Sequence, residues 1–138
     1  MRRQDQGSTP KERLSPAEWQ LMRICWRLGR ANVRQVLRED LKTHIRDYRT
    51  ILTFMTRMTK KGWLEVEREG NTNYYWPTVD RNQALEEEIH QFLDQVVGPE
   101  PENREVLRKV LAELTSRDRQ GRYLRPGVGK IRGGIAAL

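Results

Sequence analysis

The segment Asp47-Tyr48-Arg49-Thr50-Ile51-Leu52-Thr53-Phe54-Met55-Thr56-Arg57-Met58-Thr59-Lys60-Lys61-Gly62 constrains this chain more than any other. Wound at about 100° per residue, it places Arg49, Thr50, Thr53, Thr56, Arg57 and Lys60 within an arc of roughly 120°. Ile51, Phe54, Met55 and Met58 fall on the opposite arc. A helix over 47–61 therefore buries one face and offers hydroxyls and positive charge on the other. An ordinary amphipathic helix with a solvated basic side has the same pattern, so the residues that follow have to decide.

Gly62 supplies a helix stop. Trp63-Leu64-Glu65-Val66-Glu67-Arg68 then alternates apolar and charged residues, as a half-buried strand does. A turn at Glu69-Gly70-Asn71-Thr72 leads into Asn73-Tyr74-Tyr75-Trp76-Pro77, which is aromatic-rich and ends at a proline. Helix, glycine and hairpin in that order make the layout of a winged helix-turn-helix.

The preceding chain fits the same layout. Ser15-Pro16-Ala17-Glu18 reads as an N-cap, a first-turn proline and a capping box, with Leu14 and Trp19 at staple positions. Trp19, Leu21, Met22, Ile24, Cys25, Trp26 and Leu28 cover most of that helix, leaving Gln20, Arg23 and Arg27 a polar sliver. A helix apolar on most sides sits at the centre of its domain. Gly29 ends it, and Asn32-Val33-Arg34-Gln35 opens a second helix with Val33, Val36, Leu37 and Leu41 expected to face inward. Lys42 to Arg46 form the turn, and Asp47 caps the third helix.

Beyond the hairpin, Asp80 or Asn82 starts a fourth helix, and Gly98-Pro99-Glu100-Pro101 separates it from a fifth. Leu85, Ile89, Phe92, Leu93 and Val96 recur at helical spacing on the fourth, as do Val106, Leu107, Val110, Leu111 and Leu114 on the fifth. Little chain remains for these stripes to pack against. Pairing with a second copy accounts for them better than folding back, and a two-fold dimer suits a palindromic duplex.

Four segments result: a disordered basic arm at 1–13, a winged helix-turn-helix domain at 14–78, a helical dimerisation region at 79–117 and a flexible, glycine-rich basic tail at 118–138. The fold class is mainly α with a small β-hairpin wing (α+β), followed by dimerisation helices.

Charge distinguishes function classes. Residues 1–80 hold 16 Lys and Arg against 10 Asp and Glu, and residues 30–61 alone hold nine against three. Positive charge is thus concentrated around the polar arc of the third helix, where it attracts polyanions. Residues 81–114 hold four against eight, and residues 115–138 six against one. No apolar run approaches the roughly 20 residues that span a bilayer, and the first ten residues lack a signal peptide's apolar stretch. A cytoplasmic protein with no membrane partner is expected. The single cysteine, Cys25, excludes an internal disulfide and reads as a small buried hydrophobe. His44 and His90, the only histidines, stand in no nucleophile or metal spacing. No catalytic residue, metal or cofactor is expected.

These features favour double-stranded DNA as the partner. Arg49, Thr50 and Thr53 are expected to read bases, with Tyr48, Arg57, Lys60, Lys61 and Arg68 on the backbone. Asp47 is an N-cap or, alternatively, an acceptor for a cytosine amino group. The competing reading is a winged helix used as a protein-docking module without sequence-specific DNA binding, its basic face meeting an acidic partner. Arginine and threonine on one arc argue for DNA, since docking faces usually carry exposed aromatic or aliphatic side chains.

The chain resembles the penicillinase repressor family of bacterial regulators, the BlaI/MecI/CopY group. The matching stretches are Leu14 to Trp19 through Trp26, Asn32 to Leu37, Tyr48 to Thr53, Arg57-Met58, Lys60-Lys61-Gly62 and the wing ending Tyr74-Tyr75-Trp76-Pro77. The resemblance covers roughly residues 14–97. It implies a homodimeric repressor whose winged helices read an inverted repeat near a promoter, with Thr50, Thr53 and Arg57 on DNA-facing positions. Arg49 departs from the small residue more usual there. Some members are inactivated by cleavage of an Asn-Phe bond, but here Phe92 follows Gln91 and no Asn-Phe occurs. Copper-responsive members carry paired C-terminal cysteines, and this tail has none.

Overall fold

The computed structural model describes residues 12–115, and the chain divides into two compact units after Leu85. In the first unit, helix α1 spans Pro16–Leu28, α2 Val33–Asp40 and α3 Tyr48–Lys60. Strands β1, Leu64–Glu69, and β2, Thr72–Pro77, form an antiparallel hairpin. Helix α4, Arg81–Phe92, begins in this unit. The fold is mainly helical with a two-stranded wing, a winged helix-turn-helix.

Helices α1 to α4 each start where a side chain satisfies otherwise unpaired backbone donors. Ser15 Oγ accepts from the Glu18 N–H at 3.2 Å while Glu18 Oε1 accepts from the Ser15 N–H at 2.8 Å. Asn32 and Gln35 repeat the exchange at 2.9 and 2.8 Å. Asp47 Oδ1 accepts from the Thr50 N–H at 2.8 Å, and Asp80, not Asn82, caps α4 through the Gln83 N–H at 3.0 Å.

Helix α3 closes with a Schellman motif. Trp63 N–H donates to Met58 O at 2.9 Å and Gly62 N–H to Thr59 O at 3.0 Å. Gly62 has φ +89°, a conformation that favours glycine. Its carbonyl accepts from Thr78 Oγ1 at 2.6 Å, so the end of α3 is tied to the base of the wing.

The core gathers Leu21, Met22 and Cys25 of α1, Val36 of α2, Ile51, Met55 and Met58 of α3, and Leu64 and Tyr75 of the hairpin. Full burial of each such aliphatic side chain contributes about 1.5–3 kcal/mol. Trp19, Trp26 and Trp63 form a triangle with ring centroids 5.6 to 6.5 Å apart. Trp26 Nε1 donates to Val79 O at 3.0 Å and Trp63 Nε1 to Glu12 O at 2.8 Å. Burial pushes the Cys25 thiol up to about 12, consistent with an inert packing residue.

In the hairpin, Glu69 pairs with Thr72 across the two-residue turn Gly70-Asn71, with Gly70 at φ +66°. Ala31 exchanges backbone hydrogen bonds with Tyr75 at 2.9 and 2.8 Å, adding a one-residue third rung to β2.

In the second unit, a π-helical turn, Leu93–Val97, continues α4, and α5 spans Pro101–Leu114. Gly98 at φ +67° turns the chain, and Asn103 Nδ2 donates to Val97 O at 2.9 Å across the turn.

Three expectations need correction. Leu41 does not face inward; it is 51% exposed, because α2 ends at Asp40 and it is Asp40, fully buried, that turns into the core. The basic arm does not extend to residue 13, since the Glu12 and Arg13 carbonyls accept from Trp63 Nε1 and Lys61 Nζ. A domain edge at residue 78 is too early, because Val79 and Ala84 pack against the first unit's core. Residues 1–11 and the expected tail at 118–138 lie outside the described residues.

Candidate nucleic-acid interface

Helix α3 separates its two faces as its sequence requires. Ile51, Met55 and Met58 are buried, whereas Arg49, Thr53, Thr56, Arg57 and Lys60 are exposed and Thr50 is half-buried. Among the three residues expected to read bases, Arg49 and Thr53 stand one turn apart, with Thr50 beside them. A guanidinium and two hydroxyls so placed present donors and acceptors of the kind that distinguish base edges in a major groove.

The flanks of this face are organised by aromatic contacts. Arg34 of α2 stacks over Tyr48 at 5.2 Å, joining the two helices of the motif at the N-terminal end of α3. Arg57 lies 5.8 Å above the Phe54 ring, which directs its charge along the helix. Arg34 is a surface cation that the α3 wheel alone did not single out. The dense positive charge of residues 30–61 is the signal for it in the sequence.

The turn entering α3 is fixed from beneath. Arg46 Nη1 donates to Asp40 Oδ1 at 2.6 Å and Arg46 Nη2 to Gln20 Oε1 at 2.5 Å, tying the turn to both α2 and α1. His44 Nδ1 stands 3.3 Å from the same Asp40 oxygen, and the His44 N–H donates to Asp40 O at 2.8 Å. Moving Arg46 away would leave this buried carboxylate without its guanidinium partner.

Lys61 departs from its expected place on the phosphates. Its Nζ lies 2.6 Å from Glu18 Oε1 and 3.0 Å from Arg13 O, half-buried against α1. Glu18 is only 1% exposed. Burial raises its carboxyl pKa, but the Lys61 ammonium and the Ser15 N–H and hydroxyl outweigh that and hold it below the ordinary glutamate value. Lys61 therefore neutralises an internal carboxylate, while its neighbour Lys60 stays exposed.

Asp47 accepts the Thr50 N–H, and that bond holds its carboxyl below the ordinary aspartate value. Its cap position leaves it less suited to reading a cytosine. Arg68 sits near the wing tip, where its Nε donates to Gly70 O at 2.9 Å. That contact fixes the guanidinium beside the turn.

The residues expected at a dimer face divide into two groups. Ile89, at 55% exposure, is open along with Leu85, Phe92, Val96, Val106, Val110 and Leu111. Leu93, Leu107 and Leu114 are half-buried. Among the described residues, no helix is long and apolar enough to cross a membrane. No group of three or more His, Cys, Asp or Glu is placed to hold a metal ion among them.

Residues 14–121 match the sequence profile of the family described as Penicillinase repressor. An uncharacterized 16.5 kDa protein in the ptsI 3′ region of Latilactobacillus sakei is 36% identical over 87 residues, 62% of this chain and 58% of that protein. The penicillinase repressor of Bacillus licheniformis is 33% identical over 82 residues, covering 59% and 64% of the two chains. Thus the matched segment spans only 58% and 64% of these relatives' own lengths. The solution structure of the DNA binding domain of the repressor BlaI aligns at a TM-score of 0.48 with 32% identity, covering 53% of this chain and 89% of that one.

Proposed function

The chain belongs to the penicillinase repressor family, and from that premise we propose that it is a DNA-binding transcriptional repressor acting as a homodimer on an inverted-repeat operator. Helix α3 enters the major groove, and the wing lies along the sugar-phosphate backbone. Arg49, Thr50 and Thr53 read base edges. Tyr48, Arg57, Lys60 and Arg68 meet phosphates. The exposed stripes of α4 and α5 join two copies.

The observation that carries this reading is the exposed Arg49, Thr53, Arg57 and Lys60 face of α3, opposite the fully buried Ile51, Met55 and Met58. The core holds the helix rigidly from behind, while the outer face offers the donors that base edges and phosphates accept. The relative named a penicillinase repressor supports the repressor part of this reading.

Selection of fragments from a random duplex pool by the full-length protein tests it. The expected result is enrichment of an inverted repeat whose half-sites lie about one helical turn, or a multiple of it, apart. A retained pool without a common motif, or binding abolished by excess competitor duplex, would return the protein-docking reading to first place.

A further inference from the structure

The wing presents a paradox to any polyanion. By the strand register, Glu65, Glu67 and Glu69 share one face of β1, opposite Trp76, Tyr74 and Thr72 of β2. A row of carboxylates on an element that approaches phosphates repels its own target. One cation sits over this row. Arg30, just after the end of α1, has its guanidinium carbon 4.4 Å from the Tyr74 ring centroid and 5.9 Å from that of Trp76. Its Nη2 lies 3.3 Å from Glu69 Oε2 and 3.7 Å from Glu67 Oε1. The third carboxylate, Glu65, instead accepts from Trp76 Nε1 at 3.2 Å.

The backbone next to Arg30 reinforces the placement. Ala31 is bound to Tyr75 in both directions, so the segment carrying Arg30 is the only protein strand that touches the outer edge of β2 among the described residues. Arg30 thus reaches across its own β-bridge onto the aromatic and acidic face of the same hairpin. We propose that Arg30 is a positioning residue for DNA binding: it clamps the wing to the helical body and neutralises the wing's glutamate row, so that the Arg68 tip is presented to the phosphates without repulsion. The DNA part of this assignment rests on the function proposed above; the clamp does not.

The planar guanidinium suits this double role better than an ammonium would. It lies over two rings while its Nη2 faces two carboxylates. Each exposed ion pair contributes little to folding alone. Their effect on DNA is larger, because an uncompensated carboxylate near a phosphate acts on every bound complex and is screened by salt.

A double-mutant cycle in the full-length protein separates this role from a direct phosphate contact. Arg30→Ala is expected to weaken binding of the selected operator about fivefold in the natural background and less than about twofold in Glu67→Gln/Glu69→Gln, a coupling of the size such close pairs show. The fivefold loss should shrink as salt is raised, since screening replaces Arg30. Arg30→Lys should recover the charge effect in part. An equal loss in both backgrounds means that Arg30 acts independently of the glutamate row, as a direct phosphate contact would, and overturns the proposal.

Amide hydrogen exchange without DNA provides the independent arm. Arg30→Ala should speed exchange at Ala31 and Tyr75 while leaving the Met55 and Met58 amides of α3 unchanged. Unchanged Ala31 and Tyr75 protection removes the clamp. Faster exchange there in a protein that selects no DNA motif keeps the clamp and sinks the repressor reading instead.

Discussion

Lys61 Nζ stands 2.6 Å from Glu18 Oε1, so the last turn of α3 is bolted to the first turn of α1 by a charge pair. The same Glu18 oxygen accepts from the Ser15 N–H at 2.8 Å, which joins the pair to the capping box of α1. Two adjacent lysines therefore do different work. Lys61→Ala should destabilise the fold by about 2–3 kcal/mol, because it strands a buried, hydrogen-bonded carboxylate. Lys60→Ala should leave the melting temperature unchanged and lower the salt slope of DNA binding by about 0.9. Thermal melts and a salt titration of both variants check this. Equal melting temperatures would remove the bolt.

Acid should open the same joint. The Glu18 carboxyl is held below its ordinary value in the folded chain, so it binds a proton less readily folded than unfolded. Its contribution is present above the unfolded-state pKa and is lost as pH falls through the lower, folded one. In denaturant titrations from pH 6 to pH 3, Glu18→Gln is expected to lose less stability than the natural chain over the acid limb. Parallel curves would assign the acid sensitivity elsewhere.

Reading and clamping on α3 separate in a panel of single-base operator variants. Arg49→Ala and Thr53→Ala should relax preference at particular base pairs, the arginine at a cost of about 1–3 kcal/mol, and at the same position of each half-site. Arg57→Ala should weaken all variants alike. If the first two substitutions also act uniformly, α3 is not the reading helix.

Asp47 illustrates how capping excludes another use of the same group. With its Oδ1 on the Thr50 N–H, Asp47→Ser should preserve both the melting temperature and the base preference, and Asp47→Ala should lower the melting temperature alone. A shifted base preference in Asp47→Ser at constant melting temperature would make it a reader.

The dimer prediction uses the open stripe of the second unit. The natural chain should sediment as a dimer, and Leu111→Glu, at an exposed position, should shift it to monomer and weaken operator binding with little loss of helicity. Identical sedimentation of the two proteins would place the interface elsewhere.

Much of this architecture is legible in the sequence because its signals are local. Ser15 and Glu18, or Asn32 and Gln35, are three residues apart, so their reciprocal caps follow from spacing alone. The Gly62 stop and the polar arc of α3 are equally self-contained. What the sequence withheld depends on partners far along the chain. Lys61 reads as a free cation until Glu18 is found beneath it. Asp40 carries no local sign of burial until Arg46 and His44 pair with it, and Leu41 reads as core until the helix stops one residue short. Glu67 and Glu69 read as ordinary strand charges, with nothing nearby in sequence to name Arg30 as their counterion. Helical periodicity describes one element at a time; these pairings arise only when elements meet.

The tryptophan triangle gives the protein a built-in optical signature. Trp19, Trp26 and Trp63 are close enough for their excited states to couple, and each reports on a different joint. Trp63 closely follows α3, and Trp26 is bonded to Val79 where the chain leaves the wing. Any rearrangement of α3 against α1 and the base of the wing alters the mutual angles of these indoles. Their near-ultraviolet circular dichroism is therefore a label-free gauge of that packing, intrinsic to the chain.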